Sequence, residues 1–460
     1  MKSACQQRCL AMAANRWQRT LTAQRTVAFV KSMFEVANPS EAKGQRITAR
    51  EILDRGALQY GQGLRNEPIV KAELGTTLGE VYIGLGFFKQ GRELIESTLR
   101  LPGRDPEVMA RQFAALGDVQ MKHGEYETSL PSYAHALALT RMPEANGDGI
   151  ISRILVGMSE AQSSLNRFDD AARSARAALK LDEQRLGRDH PDVARDSEAM
   201  ALNSFFSGKH IMAVPLLERA IAIRIKAQGM LHPKVTENFN MLGAIAYMRR
   251  DNIAAERYYR RVLQSDEQVL GRAHPDLAIT LNNLARVILE REDFANAREL
   301  LERSITITIR QRSDNFDDLA FAYPNLAIAE RGLGNTKRAE ELFRKALPIA
   351  ERRRHRNLGP IMTDLADTLC TRGAKSEAFW FLDRARPLMV KAYPDDPWRP
   401  AWTDNVKGEC LMRAGDRANG TQLVRNSSPV ILASWPKASF YGHAASRRLA
   451  MSIVTVTRGQ

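Results

Sequence analysis

Three histidines stand in a repeated setting that invites comparison with a metal site. His190, His232 and His274 each stand three residues after a glycine (Gly187, Gly229, Gly271) and directly before a proline, at a constant interval of 42 residues. Histidine is a frequent zinc ligand, but zinc needs each ligand nitrogen at about 2 Å. Equivalent positions on neighbouring packed helices lie about 8–10 Å apart, so three such histidines do not converge on one ion. A structural role fits better. Pro191, Pro233 and Pro275 suit the first turn of a helix, where a missing N–H costs little. Asp192 and Asp276 then sit near the positive end of that helix. No metal and no cofactor is expected.

Other catalytic patterns are missing from the 460 residues. There is no H-E-x-x-H, G-x-S-x-G or P-loop. A G-x-G-x-x-G loop with a following strand lysine, an H-R-D-x-x-x-x-N and a D-F-G are absent too, so nothing would hold ATP phosphates and magnesium. Gly84 and Gly86 lack the third glycine. Cys5, Cys9, Cys370 and Cys410 are too few for a disulfide framework and lack paired zinc spacing; Cys5 and Cys9 read as free thiols. Glu299, Glu340 and Glu341 read as carboxylates on solvated helix faces. The basic run from Arg352 to Arg356 closes a helix, where cations favour the negative dipole end. The chain is expected not to be an enzyme.

What must position any site is an internal repeat. Ala171, Ala213, Ala255, Ala297 and Ala339 are 42 residues apart, and so are Leu179, Ile221, Leu263, Ile305 and Leu347. Leu242, Leu284 and Leu326 recur with Gly243, Ala285 and Ala327 behind them. Upstream, Leu78, Gly79, Gly86 and Phe88 match Leu116, Gly117, Gly124 and Tyr126 at a spacing of 38; downstream, Leu365, Ala366, Gly373 and Ala378 follow at 39. A worn copy with Gly408, Leu411 and Gly415 ends the series, giving about nine units between residues 70 and 432.

Each unit reads as two helices. Leu277, Leu281, Leu284, Ala285 and Ile288 share one helical face, Arg291 to Asp293 form a polar turn, and Phe294, Ala297, Leu301 and Ile305 share the next face. Small residues at fixed places allow close helix approach, where larger side chains would overpack. One such pair cannot bury its stripe alone, but stacked pairs bury it continuously. The pattern is similar to the tetratricopeptide repeat, and the 42-residue units resemble the longer variety of kinesin light chains and many bacterial proteins. The resemblance implies an all-α, right-handed superhelical solenoid of about nine helix-turn-helix repeats with capping helices at both ends. The second helix is expected to be extended relative to the short consensus.

In related proteins the first helices of such repeats line the inner wall of a concave groove. Asn282, Asn283 and Asn325 lie directly before the packed Leu284 and Leu326, and Asn240 lies two before Leu242. These amides are expected to face the groove, where each can donate and accept and so clasp an extended peptide backbone. Arg286 and Arg331 are expected to fix a peptide carboxylate. The partner expected is therefore a protein or peptide.

Charge narrows the partners further. The net charge is +14, but residues 1–50 hold nine Lys/Arg against two Asp/Glu, residues 401–460 eight against three, and the middle is nearly balanced. Nucleic acid would want a continuous basic stripe, so it is not expected as partner. No run of about 18 uncharged apolar residues could span a membrane. Residues 11–35 read as a basic amphipathic helix packed on the rest of the fold, and the start lacks the h-region of a secretory signal. A cytoplasmic location is expected.

Residues 23–57 carry a second resemblance. Ala28 to Pro39 and Gly44 to Ala57 look like the junction that precedes tetratricopeptide arrays in bacterial transmembrane serine/threonine protein kinases. Thr48 with Glu51 reads as a capping box. The expected organisation is an N-terminal segment and cap over residues 1–69, the repeats over 70–432, and a capping helix and tail over 433–460. The functional expectation is a noncatalytic scaffold or sensor. The alternative is a detached regulatory region of such a kinase.

Overall fold

The computed structural model describes residues 49–62, 67–101, 105–142, 149–310, 318–352 and 355–454, together with residues 25, 27–29 and 31. Cys5, Cys9, Thr48, Arg353, Arg354 and most of the helix expected over 11–35 lie outside the described residues. All regular structure among the described residues is helical. None of these helices is long and apolar enough to cross a membrane.

The chain divides into two compact units, residues 1–223 and 224–460. The first holds α1 (Ala49–Gln62), α2 (Pro68–Gly84), α3 (Phe88–Leu99), α4 (Pro106–Lys122), α5 (Tyr126–Leu139), α6 (Ile151–Ser164), α7 (Phe168–Leu186), α8 (Pro191–Phe206) and most of α9 (His210–Gln228). The second holds α10 (Pro233–Met248), α11 (Asn252–Leu270), α12 (Leu277–Leu289), α13 (Phe294–Arg310), α14 (Leu319–Gly332), α15 (Thr336–Arg352), α16 (Leu358–Thr371), α17 (Lys375–Ala392), α18 (Trp398–Ala414), α19 (Arg417–Ser434) and α20 (Phe440–Val454). The described residues thus contain nine helix pairs, α2/α3 through α18/α19, with a further helix at each end. Within each unit a first helix packs on its own second helix, and that second helix packs on the next first helix. α1 rests on α2, and α20 rests on α19. This is the all-α solenoid that the repeat predicts. The second helices lengthen where the period does: α3 has 12 residues, while α7 and α11 have 19.

Small residues permit this stacking. In the N-terminal unit Tyr133 of α5 is wedged between Gly117 of α4 and Gly157 of α6; a Cβ at these glycines would stand 2.7 Å and 2.4 Å from its ring. Its hydroxyl donates to Asp118 Oδ1 at 2.7 Å. In the C-terminal unit Gly243 accommodates Tyr259 in the same way. Leu284, Ala285, Ala297, Leu301, Ala327 and Ala339 are buried in one continuous core.

The His-Pro segments cap helices. Nδ1 of His190 accepts from the amide of Asp192 at 3.2 Å, and Nδ1 of His232 from that of Lys234 at 3.2 Å. Pro191 and Pro233 open α8 and α10 as expected. Pro275 does not open a helix: α12 begins at Leu277, although His274 still accepts from Asp276 at 3.3 Å. His355, which has no proline after it, accepts from Asn357 at 3.1 Å before α16, so the basic run there is partly a cap. Arg356 lies over the Tyr393 ring, 4.5 Å from its centroid.

Two further corrections concern single residues. Glu340 is not a solvated carboxylate: it is half-buried and bridges Arg344 Nε at 2.9 Å and Arg372. Cys370 on α16 and Cys410 on α18, to which the sequence reading assigned no pairing, are disulfide-bonded with Cα atoms 5.6 Å apart. Their separation of 40 residues is one repeat, so the bond ties equivalent points of consecutive first helices.

Candidate functional site

A cleft of about 180 Å³ opens in the C-terminal unit, and the first helix α12 supplies its floor through Ile279, Asn282, Asn283 and Arg286. Ser304 and Thr308 of α13, Asp318 just ahead of α14 and Phe321 of α14 complete the walls. The wall polar groups are already engaged: Ser304 donates to the Ala278 carbonyl at 2.7 Å and Thr308 to the Ser304 carbonyl at 3.0 Å. The Phe321 ring is fixed edge-on by His355, with centroids 4.6 Å apart. The amides of the floor remain half-buried and turned to the cleft. Asn325 of α14 donates to Asn282 Oδ1 at 2.9 Å, which joins two repeats through one amide pair.

Arg286 is the cation of this cleft. Its guanidinium carbon lies 4.3 Å from the centroid of Tyr247 on α10, a stacking distance. Its Nε is buried without a hydrogen-bond partner. Tyr247 in turn donates to Glu290 Oε1 at 3.1 Å. Burial raises the Glu290 carboxyl to about 7, although Tyr247, Arg250, Arg286 and the Phe440 amide pull the other way. Asn240 on α10 does not line the cleft; its Oδ1 is buried without a partner.

Arg331 is placed elsewhere. Its Nη1 donates to Asp367 Oδ2 at 2.8 Å and to the Asp364 carbonyl at 3.2 Å, so its donors are spent inside the protein. Asp367 also accepts from Arg448 at 2.8 Å. Arg448 is fully buried, pairs with Glu409, and lies 4.6 Å from the Trp402 ring centroid. Burial alone would raise Glu409, but Arg448 and Arg413 hold it down to about 2. Burial raises Asp364 to about 6 against the pull of Arg331. No local pattern announces this network, because its members come from α14, α16, α18 and α20. The one available signal was the spacing of Asp364 and Asp367, which places both on one helical face.

Among the described residues no group of three or more His, Cys, Asp or Glu side chains could hold a metal ion.

Comparison with known proteins agrees with this architecture. Residues 235–310 and residues 322–353 each match a tetratricopeptide-repeat family model. No curated protein matches the chain in sequence. The chain is similar in structure to the apo form of the quorum sensor NprR from B. thuringiensis, with 13% identity, a TM-score of 0.57, and coverage of 80% of this chain and 98% of that one. It is also similar to the apo form of RapI, with 14% identity, a TM-score of 0.55, and coverage of 76% and 99%. A Rap protein complexed with competence and sporulation factor matches at 13% identity and a TM-score of 0.50, with coverage of 76% and 99%. At such identities these likenesses concern the fold. The chain is an all-α solenoid carrying tetratricopeptide repeats.

Proposed function

We propose that this chain is a noncatalytic interaction protein, a scaffold or sensor of the cytoplasm, that binds an extended peptide or protein segment on the face of its first helices. The observation that carries this reading is the convergence of Asn282, Asn283 and Arg286 on one cleft, with Arg286 Nε buried without a hydrogen-bond partner. Amides that both donate and accept can hold a peptide backbone whatever its side chains. Arg286, stacked and half-buried, presents its free donors to a carboxylate of the ligand, by a side chain or a chain end. Asn325 joins the polar row through its bond to Asn282, while Asn240 stands outside the cleft. The Rap protein of like fold carries a bound factor, which supports a ligand held by such repeats. Arg331 has no part in this proposal, since Asp364 and Asp367 occupy it. The regulatory-region reading rests on the resemblance of residues 23–57 alone; α1 packs on α2 as any cap would.

The test uses peptides selected on the full chain from a displayed random library and then titrated. Each hydrogen bond contributes about 0.5–1.5 kcal/mol net, so Asn283→Ala with Asn325→Ala should weaken binding by roughly tenfold or more. The melting temperature should fall only modestly, because the one internal bond removed, Asn325 to Asn282, contributes about 0.5–1.5 kcal/mol. Unchanged affinity, or a loss that tracks a large drop in melting temperature, would remove these amides from the site.

A further inference from the structure

The turn between the two helices of each repeat needs one residue in the left-handed region. That residue is Gly86, Gly124, Gly208, Gly334, Gly373 or Gly415 in six repeats and Asn166 in one, with φ between 59° and 102°. These are the residue types that adopt this conformation at little cost. Two repeats of the C-terminal unit break the pattern. Arg250 holds φ 64° and Glu292 holds φ 60° at the equivalent places. Strain of this kind persists where surrounding structure gives something in return.

Both side chains are engaged by the same distant segment. The Arg250 guanidinium carbon lies 3.3 Å from the centroid of the Trp435 ring. Glu292 Oε1 lies 2.7 Å from His443 Nδ1, across 151 residues of sequence. Between these points the segment turns and begins α20. Trp435 also meets Trp398 and Tyr441, with ring centroids 5.2 Å and 5.0 Å away. Along α20, Gly442, Ala445, Arg448 and Ser452 form one buried face, while His443, Arg447 and Met451 are exposed. Nothing about the turns themselves calls for arginine or glutamate there, since glycine closes the same turn in α14/α15, α16/α17 and α18/α19.

We propose that Arg250 and Glu292 are the receptor half of a clasp whose ligand half is the chain's own C-terminal segment, residues 435–448. The turn edge of the C-terminal unit is then a docking surface for an amphipathic helix that carries a tryptophan just ahead of it and a histidine in its first turn. The ion pairs of Arg448 with Asp367 and Glu409 seat the far end of the helix. The clasp does not depend on what the Asn283 cleft binds.

The experiment compares hydrogen exchange of the full-length protein with that of Arg250→Gly/Glu292→Gly. Glycine relieves the turn, so if these residues serve only the turn, the unit becomes more protected and α20 follows it. The clasp predicts the opposite for one segment: amides of 435–454 exchange about tenfold faster, as loss of a desolvated cation–π contact and a side-chain hydrogen bond would give. Helices α14 to α16 should keep their protection. A second arm rebuilds the Glu292–His443 contact as a salt bridge with the acid on α20. Glu292→Lys should loosen 435–454, and adding His443→Glu should restore protection while melting temperature stays constant. Unchanged exchange of 435–454 in the glycine variant, or a uniform change across the whole unit, would overturn the proposal. So would failure of the rebuilt pair to restore protection.

Discussion

Arg286 and Tyr247 are stacked across consecutive first helices, with the guanidinium carbon 4.3 Å from the ring centroid. The ring covers one face of the cation and leaves edge donors free, while the phenol oxygen is committed to Glu290. Arg286 is thereby held in place by a ring contact, while the buried Glu290 at the end of the same helix acts on it electrostatically. Arg331, one repeat on, shows the contrary case, because two aspartates have taken its donors.

The pH dependence of stability should carry the mark of Glu290. Its folded-state pKa is raised from 4.5 to about 7, with burial the largest cause. A raised carboxyl favours the fold when protonated; this contribution is complete below about pH 4.5 and is lost as pH rises through about 7. Glu290→Gln should match wild type near pH 5 and exceed it at pH 8, by roughly 1–3 kcal/mol. Melting curves of both proteins at pH 5, 6, 7 and 8 check this. A difference that does not change with pH would contradict it.

The histidine caps should behave as caps. His190→Ala removes the acceptor that receives the Asp192 amide and should cost about 0.5–2 kcal/mol, whereas His190→Asn should recover most of it. In a unit of this size about 2–4 °C of melting temperature accompanies each kcal/mol. Equal losses in both variants would mean that the ring does something other than accept that bond.

The wedge at Tyr133 predicts an unusually sensitive glycine. At Gly157 an added methyl would meet Tyr133 Cζ at 2.4 Å, and the tyrosine is itself pressed against Gly117. Gly157→Ala should therefore destabilise by about 1–3 kcal/mol. Gly84→Ala, at the end of α2 with nothing within 4 Å of the new methyl, is the control and should be neutral or mildly stabilising. Chemical denaturation of the two variants separates overpacking from loss of glycine as such.

Much of the fold was legible because a repeat states its own rules many times over. The recurrence of Ala213, Ala255, Ala297 and Ala339 at one spacing marks the close helix contacts, since only small side chains fit them. Two of the three His-Pro pairs marked helix starts, because proline and an acceptor suit a first turn. Local periodicity also placed Asn282, Asn283 and Arg286 on one helix face, and the cleft gathers all three.

Tertiary structure decided everything that joins residues far apart in the chain. Whether an arginine on a first helix is free or spent depends on the neighbouring repeat, and so Arg286 and Arg331 look alike in sequence yet differ in state. The Cys370–Cys410 bond, the buried Arg448 and the seating of Trp435 on Arg250 depend on how helices stack, not on local spacing. Periodicity and residue size act within a few turns, so the pattern along the chain was enough to define the helices and the faces they bury. Pairing of side chains across separations such as 39 and 151 residues follows from packing geometry, which no single window of sequence contains.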